Sequence, residues 1–122
     1  MGSPTLALTD RRRQPRYRIS ASVKMGCRRG IIPATATNIS NNGIEVQSAV
    51  DVRHDSQVHI TIGIPDEVTL YGTAVWSLRL PNRDAESYRI GFAVYGVFNE
   101  GSVYSDLSSI EGIVGRVVSE HG

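Results

Sequence analysis

The sequence predicts a mainly β protein, a six-stranded antiparallel β-barrel with one C-terminal α-helix. Apolar and polar residues alternate with a period of two along several short segments, as in strands that bury one face. Turn-forming residues separate these segments at hairpin spacing. After Gly101 the apolar spacing changes to steps of three and four, which is typical of a helical face. A sheet of strands this short best avoids unpaired edge strands by closing into a small barrel.

Each predicted element follows from its local pattern. The predicted strands cover residues 17–27, 31–39, 44–50, 58–64, 68–80 and 88–94. Gly30 is expected to take a positive φ in the first turn, and Pro33 requires an edge position or a bulge. In the fifth strand one face is expected to carry Leu70, Gly72, Ala74, Trp76 and Leu78. Ser102 is the expected N-cap of the helix, whose apolar face is Val103, Leu107, Ile110, Val114 and Val117.

Length and composition predict one domain. The chain has 122 residues, of which 40% are hydrophobic and 20% charged, the values of an ordinary globular protein. We expect a flexible lead at residues 1–9, the domain at 10–118 and a flexible tail at 119–122. No apolar run approaches the roughly 20 residues that span a bilayer, and Cys27 has no internal disulfide partner. These observations favour a reducing cytoplasm.

Positive charge is concentrated near the N-terminus. Eight of the thirteen Lys and Arg residues fall within the first 30 positions, together with a single acid, Asp10. Five of them are arginines within residues 11–18. Such a cluster favours binding of an anion. The planar guanidinium donates paired hydrogen bonds to phosphate and stacks on nucleobases. Taken alone, the cluster more often indicates a solvated, disordered arm.

A second polar segment, Asn38-Ile39-Ser40-Asn41-Asn42-Gly43, follows about two dozen residues later. The Asn38 amide and the Ser40 hydroxyl can both donate and accept, so they can recognise the edge of a base. Gly43 allows close backbone approach or a positive φ. The segment is also a good hairpin turn, because Asn-Gly is a strong turn signal. The segment alone supports both interpretations.

Together the two segments resemble the signature of the PilZ domain family, bacterial receptors for the second messenger cyclic di-GMP. That signature is R-x-x-x-R on an N-terminal arm, followed by D/N-x-S-x-x-G. Here it reads Arg12-Arg13-Gln14-Pro15-Arg16 and then Asn38-Ile39-Ser40-Asn41-Asn42-Gly43. The resemblance covers roughly residues 10–118 and implies the PilZ-like barrel with its terminal helix.

The resemblance also implies roles for individual residues. Arg12 and Arg16 would hold phosphates and contact the guanines, Asn38 and Ser40 would recognise a guanine edge, and Gly43 would permit the loop shape. An arginine at position 11 resembles the variants that take an intercalated ligand dimer, and Arg13 is an expected extra phosphate contact. For Trp76, packing on the ligand and an ordinary core position remain open alternatives.

The predicted function is therefore a cyclic di-GMP receptor whose arginine arm folds over the ligand and alters a surface read by a protein partner. We expect no enzymatic activity, metal or cofactor, because no nucleophile motif or metal-ligand spacing is visible. A monomer that binds neither nucleic acid nor membrane is expected. The alternatives are a ligand-independent protein-interaction domain and a single-stranded nucleic-acid binder, the latter marked by steeply salt-dependent binding.

Overall fold

The computed structural model describes residues 15–63, 67–81 and 85–122 of the chain. Arg11, Arg12, Arg13 and Ile64, which carry sequence predictions, lie outside these ranges. Within them the chain forms seven strands and one helix. These are β1 (Tyr17–Cys27), β2 (Gly30–Ser40), β3 (Gly43–Ser48), β4 (Gln57–Ile62), β5 (Val68–Leu80), β6 (Ser87–Asn99), β7 (Ser102–Tyr104) and α1 (Leu107–His121).

The strands form a closed antiparallel barrel, as predicted. Neighbouring strands follow the order β3-β2-β1-β4-β5-β6, and pairing of β3 with β6 closes the ring of six. The short β7 adds to β6 outside that ring. Closure gives both edges of β3 a partner, which removes the exposed edges that an open sheet of this size would present.

The barrel interior is built by the alternation that the sequence displays. Along β1, β3, β4 and the first half of β5, every second side chain points inward and is almost completely buried, and Met25, Val46 and Ile90 are at 0% exposure. Packing of aliphatic side chains from all six strands provides the main stabilising free energy of the fold. The largest fully buried side chains are Met25, Ile39, Ile60, Ile62, Leu70, Ile90, Val46 and Val97.

The strand register shifts at four places, and two of these β-bulges reorient residues with predicted roles. In β2 the register shifts between Ala36 and Asn38, and in β5 it shifts between Ala74 and Trp76. Each bulge adds one residue, so the side chain that follows it changes face. The prediction that Trp76 and Leu78 share a face with buried Ala74 is therefore wrong, and both are exposed, at 42% and 52%. This exposure also excludes a core position for Trp76.

The helix begins later than the sequence predicts. Asp106 is its N-cap, and one carboxylate oxygen accepts the backbone N–H of Ser109 at 2.9 Å. Ser102 and Val103 belong instead to β7. Ser102 is in a strand and not at the start of the helix because Glu100, with φ of 52°, and Gly101, with φ of 81°, form a tight turn. This turn pairs Ser102 with Asn99. The helix continues to His121, beyond the predicted domain boundary at residue 118.

The helix packs on β1 and β2. Its buried side chains are Ile110, Ile113, Val114 and Val117, whereas Leu107 remains 59% exposed. Three of these four are among the predicted apolar positions, and Leu107 is not covered because it lies at the first turn. A search of the described ranges found no helix with the length and hydropathy needed to span a membrane.

Candidate functional site

A row of directly paired residues crosses the outer wall of the barrel. Asn38 of β2 pairs with Glu45 of β3, Glu45 pairs with Gly91 of β6, and Gly91 pairs with Trp76 of β5. On the other side, Arg18 of β1 pairs with Asn38. Since paired residues project from the same face of a sheet, the Asn38 and Trp76 side chains both point outward from the barrel. β3 and β6 lie between their strands, so the row follows the outer surface round the barrel from β2 to β5.

The two bulges are the reason that Asn38 and Trp76 face outward. Ala36 and Ala74, at 0% and 1% exposure, point into the barrel, and unbroken alternation would turn the residues two positions later inward as well. The extra residues Thr37 and Val75 reverse that orientation. Bulges that re-aim a side chain are common next to functional sites. Asn38 and Trp76 therefore each face outward because a β-bulge directly precedes them.

The end of β1 brings Arg16 to the second polar segment. Tyr17 pairs with Ile39 in the antiparallel β1–β2 ladder. Arg16 directly precedes Tyr17 and Ser40 directly follows Ile39, so both lie at the same end of this ladder. Arg16 is exposed and Ser40 half-buried. Arg16 is thus at the end of the ladder that carries Ser40, and Arg18 pairs with Asn38.

The β2–β3 turn is held by contacts at three points. The Ser40 hydroxyl donates to the Asn42 side-chain oxygen at 3.0 Å, and the Asn42 carbonyl accepts the Val94 N–H at 2.9 Å. The Asn41 amide donates to the Glu111 carboxylate of α1 at 3.2 Å. The turn is therefore tied both to β6 and to the terminal helix, which fixes where Ser40 stands on the wall.

Gly43 is required for close approach of two backbones. It lies opposite Ala93 in the β3–β6 ladder, and a Cβ at this position would be 3.0 Å from the Phe92 carbonyl oxygen. Its φ is not in the left-handed region. Of the two reasons that the sequence suggested for this glycine, the steric one applies.

Glu45 places one acid in the row, and its charge is balanced locally. Its carboxylate accepts the Thr37 hydroxyl at 3.0 Å and lies 3.6 Å from the Arg89 guanidinium. The Glu45 side chain is only 21% exposed, so this pairing is partly shielded from solvent. Exposed Arg16 and Arg18 add positive charge on the same wall, which suits a ligand with several negative charges.

Trp76 lies over Gly91. An ideal Cβ on Gly91 would overlap the Nε1, Cε2 and Cζ2 atoms of the indole ring. The missing side chain thus makes room for the ring to lie against the neighbouring strand, with its other surface open to solvent. An open aromatic face beside polar side chains is suited to stacking with a planar base.

Of the predicted site residues that the structure describes, Arg16, Asn38, Ser40 and Gly43 lie on or beside the neighbouring strands β1, β2 and β3, whereas Trp76 lies on β5, beyond β3 and β6. Arg11, Arg12 and Arg13 lie outside the described residues. Sequence reasoning missed Glu45, Arg89 and Gly91. The register of β3 and β6 reveals them, and the alternation of polar residues along β3 was the available signal. Among the described residues no cluster of His, Cys, Asp and Glu could hold a metal ion.

A small closed barrel with a polar row on its outer wall and a covering helix is the framework of a binding domain. Comparison with family models matches residues 10–120 to the PilZ domain. The chain therefore belongs to the PilZ domain family, whose members are binding domains of the cyclic di-GMP receptor type. No curated protein matches the sequence significantly.

Among solved structures, the fold is similar to that of the Bacillus subtilis inhibitor of motility, MotI/DgrA. The two share 14% sequence identity with a TM-score of 0.58. The match covers 85% of this chain and 49% of that protein, so the chain spans about half the length of its structural relative. At this identity the likeness establishes the shared fold.

Proposed function

We propose that this chain is a receptor for cyclic di-GMP. The observation that carries the proposal is the common location of Arg16 and Ser40, one residue from each signature segment: the Tyr17–Ile39 pair puts both at one end of the β1–β2 ladder. Membership of the PilZ family supports the class of ligand. In this proposal the row from Asn38 to Trp76, on the outer surface of β2, β3, β6 and β5, supplies hydrogen-bonding groups and an aromatic surface.

Each group has a distinct role in the proposed complex. Arg12 and Arg16 bind the phosphates by charge-assisted hydrogen bonds and stack on the guanines. Asn38 and Ser40 recognise a guanine edge through groups that donate and accept. Trp76 stacks on the outer face of a base. Gly43 keeps the turn close to β6, so that Ser40 can reach the ligand.

Arg11 and Arg13 extend the phosphate contacts. With Arg11 ahead of the first signature arginine, we propose that the protein takes two stacked ligand molecules. Two dianionic molecules in one site need more positive charge than a single molecule does, and three consecutive arginines at 11–13 provide it. Calorimetric stoichiometry tests this directly: two molecules per chain are expected, and Arg11→Ala should reduce the ratio.

Signalling follows from the change in the arm. When the arginines fold over the ligand, a segment with positive charge becomes a covered, neutralised surface that a protein partner can distinguish. The hydrogen bond between Asn41 and Glu111 links the turn carrying Ser40 to α1. A shift of that turn on ligand binding would therefore also reach the helix.

Isothermal titration of the full chain with cyclic di-GMP tests the proposal. We expect measurable heat and a raised melting temperature, because a ligand that binds only the folded state stabilises it. Arg12→Ala and Arg16→Ala should each weaken binding at least tenfold, since a hydrogen bond to a charged group contributes about 1.5–3 kcal/mol.

Arg29→Ala is the matched control. Arg29 is an equally exposed arginine in the β1–β2 turn, at the opposite end of β1 from Arg16, and its removal should leave the affinity unchanged. Absence of heat and of any thermal shift at high ligand concentration would refute the proposal. Equal losses in Arg29→Ala and Arg16→Ala would show a nonspecific charge effect instead.

A further inference from the structure

The last third of β5 has one unpaired edge. The β4–β5 ladder ends at the Gln57–Thr73 pair. Beyond it, the Asp55 N–H donates to the Ala74 carbonyl and the Ala74 N–H donates to the Ser56 carbonyl. The β5–β6 ladder continues much further, to the Leu80–Ser87 pair. Residues 75–80 are therefore paired on the β6 side only, as far as the described part of the chain shows. We name this segment the β5 edge.

The β5 edge is apolar and exposed, which is unusual for an unpaired strand. Val75, Trp76 and Leu78 are 43%, 42% and 52% exposed, and Arg79 is the only charged residue among Val-Trp-Ser-Leu-Arg-Leu. Proteins generally protect such edges with several charges, a proline or a covering segment, because free N–H and C=O groups recruit another strand. Pro81 limits the length of the edge but leaves these six residues open.

We propose that the β5 edge pairs with the same edge of a second copy of this chain, antiparallel and centred on Leu78. A two-fold axis at Leu78 places Leu78 opposite Leu78 of the second copy. It also places Trp76 opposite Leu80 of the second copy, and Leu80 opposite Trp76 of the second copy. All three cross-strand pairs on the outer face are then apolar, the combination that stabilises adjacent strands.

The other face of the pairing is polar and complementary in charge. The same axis places Ser77 opposite Arg79 of the second copy. The Ser77 hydroxyl donates to the Asp51 carboxylate at 2.6 Å. In the dimer, Arg79 of each copy would therefore lie beside the Asp51 carboxylate of the other copy. The present partner of Arg79 is Glu86 at 3.5 Å, and both side chains are more than half exposed. This ion pair is weak and leaves Arg79 able to turn toward the second copy.

Self-complementarity is the reason for choosing a second copy over a different protein. A two-fold interface requires that one segment match itself, and the β5 edge matches apolar with apolar on one face and polar with polar on the other. Five paired residues of each copy, 76–80, form an interface below the roughly 1,200 Å² of stable complexes. The dimer should therefore be weak and concentration-dependent. The inference does not require the proposed ligand.

The test is the mass of the full chain in solution, by analytical ultracentrifugation over a range of concentrations without ligand. The wild type should move from the mass of one chain toward that of two. Leu78→Lys should remain at the mass of one chain throughout, since it places two like charges opposite each other at the axis. Leu107→Lys is the control, because Leu107 is a similarly exposed leucine on α1, and it should behave as the wild type.

A cross-linking experiment tests the register. In a Cys27→Ala background, Leu78→Cys places two thiols at the axis, where directly opposite Cβ atoms are about 4.5–5.5 Å apart. A short thiol cross-linker should join this variant into dimers and leave Leu107→Cys as single chains. A wild type that stays at the mass of one chain overturns the proposal. So does a dimer that survives Leu78→Lys, or equal cross-linking of the two cysteine variants.

Discussion

The indole of Trp76 occupies the space that a side chain at Gly91 would fill on the adjacent strand. An ideal Cβ on Gly91 overlaps the ring atoms, so the position of the only tryptophan depends on a glycine 15 residues further along the chain. The two residues are directly paired, across the bulge that turns Trp76 outward. The aromatic end of the candidate site is therefore defined by a pair of residues.

Gly91→Ala should displace the ring without unfolding the barrel. Because Trp76 is 42% exposed, the indole can swing into solvent. We expect a shift in tryptophan fluorescence and a loss of cyclic di-GMP affinity of about tenfold, as stacking of a base on an aromatic ring contributes about 1–3 kcal/mol. Gly26→Ala is the control: its Cβ would overlap the His59 ring, at the far end of β1. An unchanged fluorescence spectrum in Gly91→Ala would contradict the assignment.

Glu45 and Arg89 should have opposite effects on the affinity for the dinucleotide. Glu45→Gln removes a negative charge from the wall while keeping an acceptor for Thr37, so binding should tighten by a few fold. Arg89→Gln leaves the Glu45 carboxylate without its cation, so binding should weaken by a similar factor. Exposed ion pairs contribute about 0.2–1 kcal/mol. Calorimetry at low and high salt provides the check, and a change in the same direction for both variants would exclude the electrostatic explanation.

Gly43→Ala should destabilise the fold. The new methyl group would be 3.0 Å from the Phe92 carbonyl oxygen, and this backbone atom belongs to the ladder that closes the barrel. Forcing extra volume into a packed position costs about 1–3 kcal/mol. Urea unfolding followed by circular dichroism measures the free energy of unfolding. A variant as stable as the wild type would show that the β3–β6 seam can open to accept the methyl group.

Gly115→Ala should have the opposite effect on stability. Gly115 lies in the interior of α1, and apart from its chain neighbours and the backbone of its own helix no atom is within 4 Å of the position of its Cβ. Alanine lowers the conformational entropy of the unfolded chain and is favoured over glycine in a helix by up to about 1 kcal/mol. The same urea experiment should show a higher midpoint. A lower midpoint would mean that the helix surface at Gly115 is covered in solution.

The N-cap of α1 should make stability depend on pH in the acid range. Hydrogen bonds from Ser109, by its side chain and its backbone N–H, lower the pKa of the Asp106 carboxyl. A carboxyl with a lowered folded-state pKa stabilises the fold above its unfolded pKa, about 3.9, and this contribution is lost as the pH falls through the lower folded pKa. Asp106→Asn keeps an uncharged cap, so its melting temperature should fall less steeply with acid. Parallel pH profiles for the two proteins would exclude Asp106 as the titrating group.

Much of the barrel could be predicted because each strand displays its own alternation. Gly30 takes a positive φ of 111°, as expected for the first turn. Pro33 pairs with Lys24 of β1 and lies before the β2–β3 ladder begins at Thr35, so it occupies the required edge. In both cases the constraint is local, a single residue that tolerates only certain backbone environments.

The bulges and the helix start could not be predicted, because they depend on partners distant in sequence. A prediction from alternation assumes that every residue of a strand has one partner on the next strand. Thr37 and Val75 are recognised as extra residues only when β2 is aligned with β3 and β5 with β6. Ser102 and Asp106 are both good N-caps, and pairing of Ser102 with Asn99 decides between them. For the same reason, the row of Glu45 and Gly91 was visible only after the register was known.

The pairing of β3 with β6 determines when the candidate site can be completed during synthesis of the chain. Both signature segments are complete by Gly43, little more than a third of the way along the polypeptide. The wall beside them needs Trp76 and Gly91 from β5 and β6, and β3 has its second neighbour only when β6 arrives. During synthesis the nascent protein therefore carries both recognition segments before the outer row from Asn38 to Trp76 is complete.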